Sequence, residues 1–286
     1  MLWILALVSV LVITFTGDAR TDLRIARNQY ENARARALAD AGVSVAILGL
    51  LDPSPEARWR AAGEEHGIAY GDGSIRVSAQ DEAGKISLND APAEMFAGLF
   101  QTLGEPPGDS AELAAAIAQW RDRRRSEWAA ASDPSAAGAG YAQASEPFQA
   151  LEELRLVPGV TNAVFERVSP YLTVYGYGAQ VDALTAPVQV LRSLPGLSPQ
   201  QIDAYIADRT QPGGAGAAAL PAVSGLSPVA NSVERTVTIK SEGRTANGAR
   251  FVREAVVAIT GEREEAYRLL VWRQAGSEHD ADQGGE

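Results

Sequence analysis

The sequence predicts an α+β fold: one long N-terminal helix packed on an antiparallel β-sheet, with a large inserted α-helical domain that contains two helix-hairpin-helix-like repeats. Three observations predict it. An uncharged apolar run, MLWILALVSVLVITFT at residues 1–16, continues without proline as far as Pro53, and an Ala-, Arg- and Leu-rich segment of that length reads as one helix. Alternating apolar and polar residues recur in two blocks far apart, at residues 73–89 and 233–273, as strands of one sheet do when a second domain interrupts it. The residues between them are mainly helix-forming and turn twice through Pro-Gly, at Pro158-Gly159 and Pro195-Gly196.

The N-terminal helix divides by composition. Residues 1–17 are the expected membrane-spanning part, with Leu2, Trp3, Ile4, Leu5, Leu7, Val8, Val10, Leu11, Val12, Ile13 and Phe15 as the anchor. Sixteen residues reach only about 24 Å against a hydrocarbon core of about 30 Å, so the run spans only if it is extended or helped. A signal-peptide core and a buried helix are the competing readings, although the basic stretch and small-residue cleavage site of a signal are not clean here. Residues 18–52 are the expected part of the helix outside the membrane. There Leu23, Ile25, Ala26, Tyr30, Ala33, Ala37, Leu38, Ala41, Val45 and Leu48 fall near helical spacing and give a face to pack on a globular domain. Leu23, Tyr30, Ala33, Ala37 and Ala41 form the candidate face for a partner's helix, because an amphipathic helix leaving a membrane must cover its apolar side.

The sheet is expected from residues 53–89 and 221–274, the helical domain from 90–210, a low-complexity linker from 211–220 and a disordered polar tail from 275–286. In the first block Ile75 and Val77 stand on one arm of a predicted hairpin and Ile86 and Leu88 on the other, around Gly84, with Asp81-Glu82 as a solvated acidic tip. In the second, three strands form an antiparallel meander with turns at Asn247-Gly248 and Gly261.

Composition narrows the chemistry. The chain has no cysteine, which excludes disulfides, thiolate metal sites and thiol nucleophiles. Its two histidines are His66, in a polar turn-like loop, and His279, in the tail. No nucleophile has a base nearby, and Lys85 and Lys240 are the only lysines, so an enzyme is not expected.

The two Pro-Gly turns belong to a repeat. A shift of 37 residues lays Leu154, Val157, Pro158, Gly159, Val160, Thr161 and Phe165 over Leu191, Leu194, Pro195, Gly196, Leu197, Ser198 and Ile202. Thr161 and Ser198 are the expected N-caps, the second helped by Pro199 and Gln201. A fainter repeat relates residues 86–96 to 181–191, with Asp90 and Thr185 as expected caps. Such hairpins suggest, as the alternative function, a membrane-anchored DNA-uptake protein. Phosphate-binding versions carry a second glycine where this chain has Thr161 and Ser198. Arg155, Arg167, Arg192 and Arg209 are offset by neighbouring acids in a chain of 25 Lys+Arg against 36 Asp+Glu, net −11. No nucleic-acid partner is therefore expected.

Taken in order, the apolar start, DEAGKISLN (81–89), AQWRD (118–122), EPF (146–148), ELRLVPGVT (153–161), PYLTVY (170–175), TAP (185–187), LPGL (194–197) and YRLLVWR (267–273) resemble the type II secretion minor pseudopilin K family over nearly the whole chain. The resemblance implies a pilin-like fold and a single-pass protein of the cell inner membrane with its globular part in the periplasm. It also implies a job: starting and capping the pseudopilus at its tip. The implied partners are two other minor pseudopilins and the major pseudopilin below, with secreted proteins or the outer-membrane secretin as further contacts. Members typically lack the glutamate that other pilins carry at the fifth mature position, and no acid precedes Asp18 here. Members can also bind calcium with acids in the loop after the W-x-D helix. Here Asp122, Glu127, Asp133 and Glu146 are scattered among arginines, a set that offers a hard cation more positive charge than oxygen, so no cofactor is expected. The arginine-rich stretch reads as a surface face.

Overall fold

The computed structural model describes residues 2–54, 56–131, 148–176, 178–210, 220–221, 223–227, 235–260 and 265–275; for residues 2, 5–20 and 128–131 it describes the backbone alone. Helix α1 runs from Leu2 to Leu50, as a proline-free segment with no internal breaker allows. Trp3 and Ile4 are exposed. The other anchor side chains, Leu2, Leu5, Leu7, Val8, Val10, Leu11, Val12, Ile13 and Phe15, lie outside the described residues, as do nearly all of the linker and the tail. Among the described residues no helix is long and apolar enough to cross a membrane.

One five-stranded antiparallel sheet has the order β1 (Ala62–Tyr70), β2 (Gly73–Asp81), β7 (Arg235–Arg244), β8 (Arg250–Ile259), β9 (Tyr267–Gln274). The chain leaves this sheet at Asp81 and re-enters it beside β2 at Arg235, in a register that pairs Asp81 with Val237. Everything between is an excursion. It holds α2 (Ala93–Thr102), α3 (Pro107–Ala131), α4 (Asn162–Val168), α5 (Val188–Ser193) and α6 (Pro199–Arg209). It also holds the two-residue strands β3 (Ile86–Ser87), β4 (Leu172–Thr173), β5 (Val181–Asp182) and β6 (Leu226–Ser227). Strand β3 pairs in parallel with β4, and β5 with β6.

There are two cores. Alternation in the strands turns Ile75, Val77, Ala79, Val237, Ile239, Ala255, Val257 and Ile259 toward α1, where they meet Leu38, Val43, Ala46, Ile47 and Leu50. The second core is built around Phe96, Leu99, Phe100, Ile117, Phe148, Leu154, Leu172 and Leu191. Ile86 and Leu88, and Leu226 from beyond the linker, belong to this second core rather than to the sheet.

The predicted hairpin around Gly84 is therefore corrected. The true hairpin joins β1 to β2 across Gly71-Asp72, while Glu82–Gly84 is a single 3-10 turn and Ile86 pairs with Leu172. Strand β1 escaped notice because Glu64, Glu65 and His66 break its alternation, which an edge strand tolerates. His66 lies on that strand, stacked on Trp59 with ring centroids 3.7 Å apart.

Asp81 and Glu82 are buried, not a solvated tip. The chain turns there from the sheet into the helical unit, so both carboxylates are held locally. Asp81 Oδ1 accepts from the Ala83 amide at 3.0 Å; Glu82 accepts from Lys85 Nζ at 2.6 Å and from the Thr238 hydroxyl at 2.7 Å. Burial pushes the Asp81 carboxyl up to about 6, against the opposing pull of the Ala83 hydrogen bond and of Arg235. A carboxyl raised in the folded state disfavours folding while ionised, a penalty complete above pH 6 and relieved as pH falls toward 3.8. Asp81→Asn, whose amide oxygen keeps the Ala83 bond, is expected to stabilise the protein by about 1–3 kcal/mol at neutral pH and by almost nothing at pH 4. Urea unfolding of both proteins across that window checks it; a gain independent of pH would refute it.

Candidate functional site: the outer face of the long helix

Small residues of α1 alternate with large ones where it touches the sheet. Ala35, Ala39, Gly42 and Ala46 are buried there beside Leu38, Val43, Ile47 and Leu50, and the crossing is so close that β7 contributes Gly243. A Cβ on Gly243 would stand 2.6 Å from the Ala39 nitrogen and against the Ala35 carbonyl. Small residues let the helix backbone ride low on the sheet.

This reverses one sequence expectation. Of the ten positions expected to pack on the globular domain, Leu38 is buried and Val45 half-buried, while Leu23, Ile25, Ala26, Tyr30, Ala33, Ala37, Ala41 and Leu48 are exposed. The expectation chose the wrong arc of the helix: the sheet meets Ala35, Leu38, Ala39, Gly42, Val43, Ala46, Ile47 and Leu50 instead. Leu23 is 70% exposed and Tyr30 65%, and Ala33, Ala37 and Ala41 continue the same outward face. The structure thus brings the five partner-face residues together on the side of α1 away from the sheet.

Two ion pairs and a hydrogen bond pin the orientation of that face. Arg253, 4% exposed, donates from Nε to Asp40 at 2.6 Å and lies 4.9 Å from the ring centroids of both Phe251 and Trp272. Asn247 in the β7–β8 turn donates to Glu31 at 2.7 Å, and Arg34 bonds Asp72 in the β1–β2 turn. Each contact lies on the sheet side and leaves the alanine row free.

The remaining candidates sort by what they touch. Gly159 and Gly196 take positive φ of 88° and 89° at the ends of the two Pro-Gly turns, a conformation that favours glycine. Thr161 and Ser198 cap α4 and α6 as expected, Ser198 within a capping box with Gln201. Asp90 and Thr185 do not cap: α2 and α5 begin after Pro92 and Pro187, while Asp90 accepts from Ser87 and Thr185 donates to Asp182. The four arginines near the turns are occupied. Arg155 lies over Phe165, Arg167 bonds Glu105, Arg192 pairs with Asp203 at 3.0 Å, and Arg209 donates to the carbonyls of Ala183 and Ala186.

Around the W-x-D helix Arg123 and Arg125 are exposed, as a surface face requires, while Arg121 and Arg124 are half-buried. Arg121 donates to the Ala91 carbonyl at 2.6 Å and Arg125 to the Asn89 carbonyl at 2.8 Å, stapling α3 to the segment that enters α2. Asp122 accepts from Arg121 and Glu127 is exposed; Asp133 and Glu146 lie outside the described residues. Among the described residues no group of three or more potential ligands could hold a metal ion. One further contact was invisible in the sequence: the Asn89 amide donates to the Phe148 carbonyl and accepts from the Phe148 amide, both at 2.9 Å, joining two of the motif blocks.

Comparison with known proteins gives these blocks a context. Residues 76–177 match the family model for type II secretion system (T2SS) protein K, a window holding five of the blocks, from DEAGKISLN to PYLTVY. A curated relative, the type II secretion system protein K of Klebsiella pneumoniae, is 29% identical over 102 residues, 35% of this chain and 30% of that protein. The match thus spans about a third of the length of either. A solved structure, the GspK-GspI-GspJ complex from the enterotoxigenic Escherichia coli type 2 secretion system, aligns over 91% of this chain and 100% of its own at 17% identity with a TM-score of 0.49. Over residues 76–177 the chain is therefore similar to type II secretion system protein K.

Proposed function

We propose that this chain is a minor pseudopilin that works at the tip of a type II secretion pseudopilus, starting its assembly and capping it. It is anchored in the inner membrane through residues 1–17, with the rest of the molecule in the periplasm. Its partners on this reading are two other minor pseudopilins and the major pseudopilin below. The supporting observation is the outward face of α1, where apolar and small side chains stand exposed although the opposite face satisfies the sheet. Helices pack side by side most closely through small residues, and Ala33, Ala37 and Ala41 recur at four-residue spacing along one ridge. The helical unit between Asp81 and Arg235, with its two Pro-Gly repeats, adds bulk beside the sheet and would block a further subunit from adding above. That role is structural and needs no catalytic group.

The experiment mixes the full chain with the two candidate minor pseudopilins of its own secretion system and measures mass by light scattering behind a sizing column. A 1:1:1 complex is expected; three separate species would overturn the reading. Ala37→Glu places an unpaired carboxylate in the proposed contact and is expected to weaken assembly at least about tenfold, or about 1.4 kcal/mol, with an unchanged melting temperature because Ala37 is exposed.

A further inference from the structure

The sheet face opposite α1 is not bare. Between it and the turn-rich edge of the helical unit lies a cleft of about 540 Å³, within the roughly 300–1,000 Å³ of small-ligand sites. Ser78, Lys240, Val256 and Val271 lie on its floor, and Leu151, Phe165, Tyr171 and Tyr175 on its wall. Floor and wall come from distant parts of the chain.

The charges that line the cleft are nearly all spent on each other. Glu82 is held by Lys85 at 2.6 Å, and Glu152 and Glu254 by Arg273 at 2.7 and 2.6 Å. Lys240 has no ion-pair or hydrogen-bond partner among the described residues. It stands directly across from Ser78 in the β2–β7 register and from Glu254, which Arg273 holds, in the β7–β8 register, which sets these side chains about 5 Å apart on one face. The side-chain hydroxyls of Ser78, Tyr171 and Tyr175 are likewise uncommitted among the described residues. Burial, then the nearby Glu82, raises the Tyr175 hydroxyl above its usual pKa, so it stays a donor. An ammonium can only donate, and the three hydroxyls can donate with it. The complement of that set is an acceptor with charge.

We propose that this cleft binds an apolar molecule headed by a carboxylate, with the carboxylate at Lys240 and Ser78 beneath the tyrosine hydroxyls and the apolar body against Phe165, Leu151 and Val271. A peptide C terminus ending in a bulky residue has this chemistry, and so does a free arylalkyl carboxylate. The site stands independently of the filament reading, since none of these residues lies on α1.

The chain's two lysines make the test direct. Reductive ¹³C-dimethylation of the full chain keeps the charges and labels Lys85, Lys240 and the terminal amine, whose lower pKa sets its signal apart. The probes are N-acetyl-Ala-Leu-Phe, its C-terminal amide and 3-phenylpropionate. A saturable shift of the Lys240 signal with Lys85 unmoved is expected, with the free acid at least about tenfold tighter than the amide. Lys240→Met, on an exposed strand position, should erase that difference without changing the melting temperature, and Ser78→Ala should weaken the acid alone. Peptide acid binding without phenylpropionate binding identifies a peptide C terminus as the ligand; both binding identifies apolar carboxylates generally. No saturable shift, equal binding of acid and amide, or joint movement of both lysines overturns the proposal.

Discussion

Gly243→Val is expected to destabilise the protein by about 3 kcal/mol, the upper end of what overpacking costs, and to loosen α1 from the sheet. The reason is what the new side chain would meet. Its Cβ falls on the Ala35 carbonyl and within 2.6 Å of the Ala39 nitrogen and 2.7 Å of the Leu38 Cβ, and helix backbone cannot rotate away as a side chain can. The helix must lift, and lifting it uncovers Ile75, Val237, Ile239, Ala255 and Val257. Urea unfolding gives the magnitude, and faster amide exchange in residues 35–47 shows where it acts. Gly67 is the control: it lies on edge strand β1 with nothing within 4 Å of a new Cβ, so Gly67→Ala should stay within about 0.5 kcal/mol of the parent. If Gly243→Val behaved like Gly67→Ala, the close crossing of α1 over β7 would be wrong.

The same crossing explains what the sequence could and could not reveal. The extent of α1 was legible from the absence of proline before Pro53, and the β7–β9 meander from alternation and its Asn-Gly turn. The N-caps at Thr161 and Ser198 were legible because capping is local chemistry. The buried face of α1 was not. Apolar periodicity needs one face to be richer in apolar residues, and here large and small ones stand on both: Leu23, Tyr30 and Leu48 face outward while Leu38, Val43, Ile47 and Leu50 meet the sheet among alanines. Strand β1 was hidden by its acids, and β3 and β5 by pairing over two residues with partners far along the chain. Such bridges leave no periodic trace.

The candidate surface was legible for a related reason. Ala33, Ala37 and Ala41 drew notice as an apolar ridge in a segment following a membrane-like run, and the fold leaves that ridge open. The arginines of α3 show the opposite case. Arg121 and Arg125 read as solvated charge; Arg125 is exposed, yet the approach of residues 89–91 to α3 gives both of them carbonyls to hold. Electrostatic role follows from tertiary position, which charge pattern alone does not carry.

Phe148→Ala is expected to cost about 3–5 kcal/mol, because its ring is fully buried among the residues of the helical core. Its backbone is held as firmly as its ring. Asn89 meets both the amide and the carbonyl of Phe148, so Asn89→Ala leaves two buried polar groups without a partner, at a cost of about 2–4 kcal/mol. The two changes act on one docked segment, and their sum should not be realised: once the ring is gone the segment can withdraw and water can reach the orphaned groups. The double variant is therefore expected to fall short of additivity by about 1–3 kcal/mol. Full additivity in urea unfolding would mean that ring and amide clasp stabilise separate elements. A Phe148→Ala cost below about 1 kcal/mol would mean that the segment is not docked at all, and that the second core closes without it.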